Sequence, residues 1–268
     1  MRRLFLACKD AVLTGIKQPG IFVPFILLAV FDGVFLYLLF LSPQDPVAKV
    51  MAPPIRKFFG EKFLHYPMNL ILLPQLFHYA VIMLVFFPGI ILNAVVIGFV
   101  KDAYSGVRLS AKTHLKTCLR NIIPITVFWV LSFYTDKGTY LLSAKLFSGT
   151  ALPEKYILLG IYYLRFIMQF LFLYALPLIV LEQKPFFAAL LDNFKVLWKV
   201  LFPTLIVFAA GASLFLPVFY LKVKTTVLMG RFFPEVVIYI LSLEIIITFI
   251  LNCLLTTITT HLFLNERK

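Results

Sequence analysis

Apolar residues run through this chain in six long blocks, at about 21–41, 73–99, 122–142, 156–181, 200–221 and 236–263, with polar residues gathered between them. A helix needs about 20 apolar residues to cross roughly 30 Å of hydrocarbon, so each block has membrane-crossing length or nearly so. Runs such as Ile179-Val180-Leu181 and Ile245-Ile246-Ile247 lack the alternation of a barrel strand. Helices remain, because lipid satisfies no backbone donor or acceptor. The pattern predicts an all-α, polytopic integral membrane protein: a single transmembrane domain over residues 1–268 with six transmembrane helices. In the third block, Thr135-Asp136-Lys137-Gly138 predicts a short tilted helix that breaks at those residues.

The segments between blocks carry a second period. In residues 110–123, Lys112, Lys116 and Arg120 recur every four positions, while Leu115, Cys118, Leu119 and Ile122 are read as the opposite face. In residues 185–199, Phe187, Leu190, Leu191, Phe194 and Leu197 oppose Asp192, Lys195 and Lys199. This is the pattern of an amphipathic helix lying in the membrane plane, with cations at the headgroups. Lys116, Arg120 and Pro124 have the spacing of Lys195, Lys199 and Pro203, and Pro88 and Pro177 loosen the preceding blocks. Residues 2–18 read as a third in-plane helix, with Leu4, Cys8, Ala11, Val12 and Ile16 on one face and Pro19 and Pro24 following. Three degenerate internal repeats result. Such repeats enclose the substrate site in many transporters, and they also arise by duplication in any membrane scaffold.

Composition agrees with the pattern. Hydrophobic residues make up 62% of the chain and charged residues only 14%, against about 25% in soluble domains. The net charge of +13 comes from Lys and Arg at the ends of blocks, where each is attracted to anionic headgroups by about 1 kcal/mol. Nucleic-acid binding would need a basic domain outside the membrane, and no segment is long enough for one. Lys and Arg number 14 on the side that holds both termini and 10 on the other, which places both termini in the cytoplasm. Leu4–Cys8 is too short an apolar run for a cleavable signal, which needs roughly 7–15 residues. Cys8, Cys118 and Cys253 form neither a disulfide framework nor a metal-ligand set.

Ala175-Leu176-Pro177-Leu178-Ile179-Val180-Leu181-Glu182, followed by Ala188-Ala189-Leu190-Leu191-Asp192-Asn193-Phe194-Lys195-Val196-Leu197-Trp198-Lys199, resembles a group of six-span bacterial membrane proteins. That group includes the membrane domain attached to some glycerophosphodiester phosphodiesterases, and families of unknown function. The match covers roughly residues 170–203. The ending Thr256-Thr257-Ile258-Thr259-Thr260-His261-Leu262-Phe263 is similar too, with a tyrosine more usual at the place of His261 or Phe263. The resemblance implies the fold and a multi-pass place in the cytoplasmic (inner) membrane. It implies no reaction, since nothing here resembles the catalytic domain.

Asp32, Arg165 and Glu244 lie inside blocks, where each costs roughly 2.5–3.5 kcal/mol on insertion scales and calls for a partner. The plain reading is an Asp32–Arg165 ion pair. The sharper one is an intramembrane polar site in which Arg165 holds a headgroup or substrate anion, or Glu244 relays protons. Asn69, Gln75, His78, Asn93, Gln169, Asn252 and the Thr256–Thr260 cluster read as interhelical packing groups. Pro43, Pro46, Pro53 and Pro54 predict an irregular start to the loop 42–72, then a short amphipathic helix over Ile55–Phe63. No nucleophile elbow, phosphate-binding glycine loop, metal cluster or close carboxylate pair occurs, and no cofactor is implied. The sequence therefore points to a non-enzymatic membrane protein that binds lipid or a partner protein. Anionic-lipid or partner contact falls to Lys112, Lys116, Arg120, Lys195 and Lys199. A small permease with an internal polar site is the alternative, and a lipid-headgroup enzyme the third.

Overall fold

The computed structural model describes residues 2–82, 86–147 and 154–267. Thirteen α-helices run through them: α1 (Arg2–Lys17), α2 (Val23–Phe40), α3 (Ala48–Phe58), α4 (Met68–Ala80), α5 (Phe86–Tyr104), α6 (Ala111–Arg120), α7 (Ile122–Phe147), α8 (Glu154–Leu171), α9 (Ala175–Leu181), α10 (Phe186–Lys199), α11 (Leu201–Val223), α12 (Thr225–Arg231) and α13 (Val236–Glu266). No strand occurs among the described residues. Among the described residues, five segments are long and apolar enough to cross a membrane: Pro19–Phe40, Phe87–Tyr104, Leu159–Leu181, Leu201–Val223 and Val236–Glu266. A sixth results if α6 and the first part of α7, which meet at a bend of 75°, count as one.

Local chemistry explains where elements differ from the sequence reading. The break expected at Thr135–Gly138 does not occur, and α7 runs on to Phe147. Thr135 turns its hydroxyl back to donate to the Leu131 carbonyl at 2.7 Å, so the helix itself absorbs that polar group. A single glycine costs a helix only about 1 kcal/mol. In the loop, α3 contains both Pro53 and Pro54, and the helix lies earlier than the expected Ile55–Phe63. Proline's fixed φ is itself helical, and Lys49 and Val50, whose carbonyls lose their donors, are exposed residues. In the fourth block, α8 ends at Leu171 and α9 begins at Ala175, three residues later. Pro177 forces that break, since it has no N–H to offer the carbonyl of residue 173. The second block holds α4 and α5, with residues 83–85 outside the described part.

The contacts gather into two compact units. One comprises Met1–Phe25, Gly89–Ala212 and Asn252–Lys268. Its centre is built from Ile21, Phe25, Ile125, Tyr174, Leu178, Ile179, Leu262 and Phe263, all at most 2% exposed. The other comprises Ile26–Pro88 and Ser213–Leu251, around Leu36, Leu39, Leu70, Leu73, Phe77, Val237 and Leu241.

Candidate functional site

The prolines Pro24, Pro124 and Pro203 give the three repeats a common register, and burial in the first unit follows it. Ten residues before each proline stands a polar anchor: Thr14 on α1, His114 on α6 and Asn193 on α10. One residue after each proline the side chain is buried (Phe25, Ile125, Thr204), and one before it is exposed (Val23, Ile123, Phe202). The first copy departs at Gly15, which is buried where the other two present Leu115 and Phe194 to the outside.

Each anchor answers a different local need. The break between α8 and α9 strips backbone groups of their helical partners. Asn193, wholly buried, supplies both: its Oδ1 accepts from the Tyr174 N–H at 2.9 Å, and its Nδ2 donates to the Leu171 carbonyl at 2.7 Å. The Tyr174 hydroxyl lies 2.7 Å from that of Thr204, and its ring stacks on Phe263. On α6, His114 Nε2 sits 2.7 Å from Asp102 Oδ2, and the same oxygen accepts from the Ser110 N–H at 3.3 Å. Ser110 caps α6 by accepting from the Thr113 N–H. The His114 ring lies so close to α5 that a Cβ at position 98 would collide with it, which is why Gly98 stands there. On α1, Thr14 Oγ1 and His261 Nε2 share a hydrogen bond of 3.2 Å.

With their anchors turned inward, the three helices leave bulky apolar side chains outside. α1 buries Ala7, Ala11 and Gly15 and exposes Phe5, Val12, Leu13 and Ile16. α6 buries His114 and Cys118 and exposes Leu115 and Leu119, so the single apolar face expected from the sequence is divided in two. α10 buries Ala189, Asn193, Val196 and Leu197 and exposes Phe187, Leu191, Phe194 and Trp198, the last 79% exposed. Lys112, Lys116 and Arg120 are exposed along α6. Lys195 and Lys199 are exposed as well, but each has an acid beside it: Lys195 lies 2.8 Å from Asp192, and Lys199 lies 3.3 Å from Glu266. Lys184 bridges Asp192 and Glu182, each at 2.7 Å, and Arg267 reaches Glu182 at 2.8 Å. The Lys184 and Lys195 ammonium groups lower the Asp192 carboxyl from its ordinary value to about 2.

The second unit holds the other candidate site. Asp32, midway along α2, is buried, and its Oδ1 has no hydrogen-bond partner. Glu244 Oε1 meets Lys222 Nζ of α11 at 2.7 Å, while Glu244 Oε2 is buried without a partner. Glu244 therefore meets Lys222, from the last turn of α11, a partner the sequence reading did not name. Arg165 stands on α8; its side chain lies outside the described part of the structure, and with it the expected pairing to Asp32.

The remaining polar groups read as packing. Thr256 donates to Asn93 Oδ1 at 3.1 Å, and Thr257, Thr259 and Thr260 donate to carbonyls one turn back. The three cysteines are free thiols, two of them buried. Among the described residues no three His, Cys, Asp or Glu side chains are placed to hold a metal ion. The sequence reading missed Lys222, the Asp102–His114 pair and the role of Asn193. The shared distance from Thr14, His114 and Asn193 to their prolines was the available signal for two of the three. Compared with family models, curated proteins and solved structures, the chain matches none.

Proposed function

We propose that this is a non-enzymatic, multi-pass protein of the bacterial cytoplasmic membrane that binds anionic lipid or a partner protein along α1, α6 and α10, as a scaffold or accessory subunit. One observation carries the reading: three helices in repeat register turn small or polar anchors inward and present bulky apolar residues outward, alongside exposed cations. That is the chemistry of the boundary between headgroups and acyl chains. The resemblance of residues 170–203 to six-span bacterial membrane proteins supports the same location. The contact of Thr14 with His261 brings the first and last helices together, which favours an even number of crossings. The excess of Lys and Arg on that side favours the cytoplasm.

The test is native mass spectrometry of the protein released gently from its own membrane. A retained anionic phospholipid or a stoichiometric protein partner is the expected result. Its loss is expected in a Lys112→Ser, Lys116→Ser, Arg120→Ser variant that unfolds at the wild-type temperature. A bare chain from the native membrane overturns the reading. The second reading, a small permease, is favoured by the buried, unpartnered oxygens Asp32 Oδ1 and Glu244 Oε2. It takes first place if a small molecule is retained and is lost on Asp32→Asn but not on the α6 changes.

A further inference from the structure

We propose that α6 is the anionic-phospholipid site of this chain and that α10 selects no headgroup charge. This rests on the lipid-surface reading above and narrows it to one helix and one ligand class: a phospholipid whose phosphate carries no balancing cation of its own. Five exposed cations lie between the end of α5 and the end of α6: Lys101, Arg108, Lys112, Lys116 and Arg120. Among the described residues none of the five forms an ion pair. The one acid in residues 101–123 is Asp102, and it is already engaged. Its Oδ2 accepts from the Ser110 N–H at 3.3 Å and lies 2.7 Å from His114 Nε2.

Lys112, Lys116 and Arg120 recur every four residues, so successive members stand about 6 Å apart along the helix axis and the row spans about 12 Å. Leu115 and Leu119, each one residue before a cation, form an exposed apolar row alongside. A row of cations beside a row of hydrocarbon matches a ligand with a phosphate at one end and acyl chains at the other. On α10 the apolar row is present and the charge balance is different. Lys195 and Lys199 already meet Asp192 and Glu266, at 2.8 and 3.3 Å, and Lys184 and Arg267 beside them meet Asp192 and Glu182. A phosphate approaching α10 must compete with these carboxylates. On α1 the exposed Lys9 and Lys17 are separated by the exposed Leu13, so no row of consecutive cations forms.

Lipid titration of the full chain tests this. The protein is delipidated in detergent, dioleoyl-phosphatidylglycerol or dioleoyl-phosphatidylcholine is added, and the first bound lipid is counted by native mass spectrometry. The wild type should prefer phosphatidylglycerol by about tenfold or more, since each unpaired cation near an anionic headgroup contributes about fivefold. The Lys112→Ser, Lys116→Ser, Arg120→Ser variant should lose that preference. A Lys195→Ser, Lys199→Ser, Glu266→Gln variant, which removes the α10 cations together with the acid facing Lys199, should keep it to within about twofold. If a variant fails to fold, the wild type alone decides: raising ammonium acetate from about 0.05 M to about 0.5 M should erase the preference by screening exposed charges, with phosphatidylcholine uptake unchanged. No preference in the wild type overturns both this proposal and the anionic-lipid reading beneath it. A preference that survives the α6 changes or high salt, or that the α10 changes also remove, overturns the proposal and leaves the lipid-surface reading standing.

Discussion

A broken helix is tolerable in an apolar setting only if something answers its freed backbone groups, and at the α8–α9 break that duty falls on one side chain. Replacing Asn193 by Ala leaves the Tyr174 N–H and the Leu171 carbonyl buried without partners. At about 1–3 kcal/mol per orphaned group, the expected loss is roughly 2–6 kcal/mol, read as a lower unfolding temperature in detergent. Asn193→Asp separates hydrogen bonding from packing: it keeps the shape and loses the donor to Leu171, so it should be no better than Ala. Residue-level chemistry was legible in the sequence where burial of a charge is costly in itself, as at Asp32 and Glu244. Lys222 was not, because it lies one residue past the apolar block and reads as part of the outer loop. Its flexible stem carries the ammonium back along the helix to Glu244, a reach that hydropathy does not register.

At the scale of elements, the corner between α9 and α10 is held by charge as well as by Asn193. Asp192 pairs with Lys184 and Lys195, and its carboxyl is lowered from 3.8 to about 2. A carboxyl lowered on folding favours the folded state fully above its unfolded value. The contribution fades as pH falls through the folded one. The corner should therefore loosen between about pH 4 and pH 2, seen as faster amide exchange in α10. Asp192→Asn should lose that acid-side dependence while its α10 exchanges faster already at neutral pH. Most helix positions were readable, since long apolar blocks and proline positions decide them. Helices do stand where 2–18, 110–123 and 185–199 were expected, as α1, α6 and α10. Their faces were not, because a helix with an inward anchor, an outward apolar flank and a cationic edge has three sides, and a two-sided pattern merges the first two. Cys118 shows the difference: grouped with Leu115 and Leu119 by spacing, it is buried while they are exposed.

For the whole molecule, the question is one of parity. Five segments qualify as crossings on their own, and the bent pair α6–α7 makes a sixth. Five crossings put the first and last helices on opposite faces, and six put them on the same face. The Thr14–His261 contact requires the same face, so α7 is expected to cross. A fluorescent reporter that matures only in the cytoplasm should glow when fused before Met1 and also when fused after Lys268. A periplasm-dependent phosphatase should be silent at both places. Activity of the phosphatase at one end alone would make α6–α7 a re-entrant element and leave five crossings.

That same contact sets an order of events. Thr14 and His261 lie 247 positions apart, so α1 leaves the ribosome well before α13 and waits for 247 residues before its partner exists. At about 5–20 residues per second, the wait is roughly 12–50 s. Phe5, Val12, Leu13 and Ile16 stay exposed even when that contact has formed, so on the proposed lipid-surface reading the bilayer covers them before and after it. On that reading lipid holds α1 before protein fixes it, and the fold closes when α13 brings His261 to Thr14.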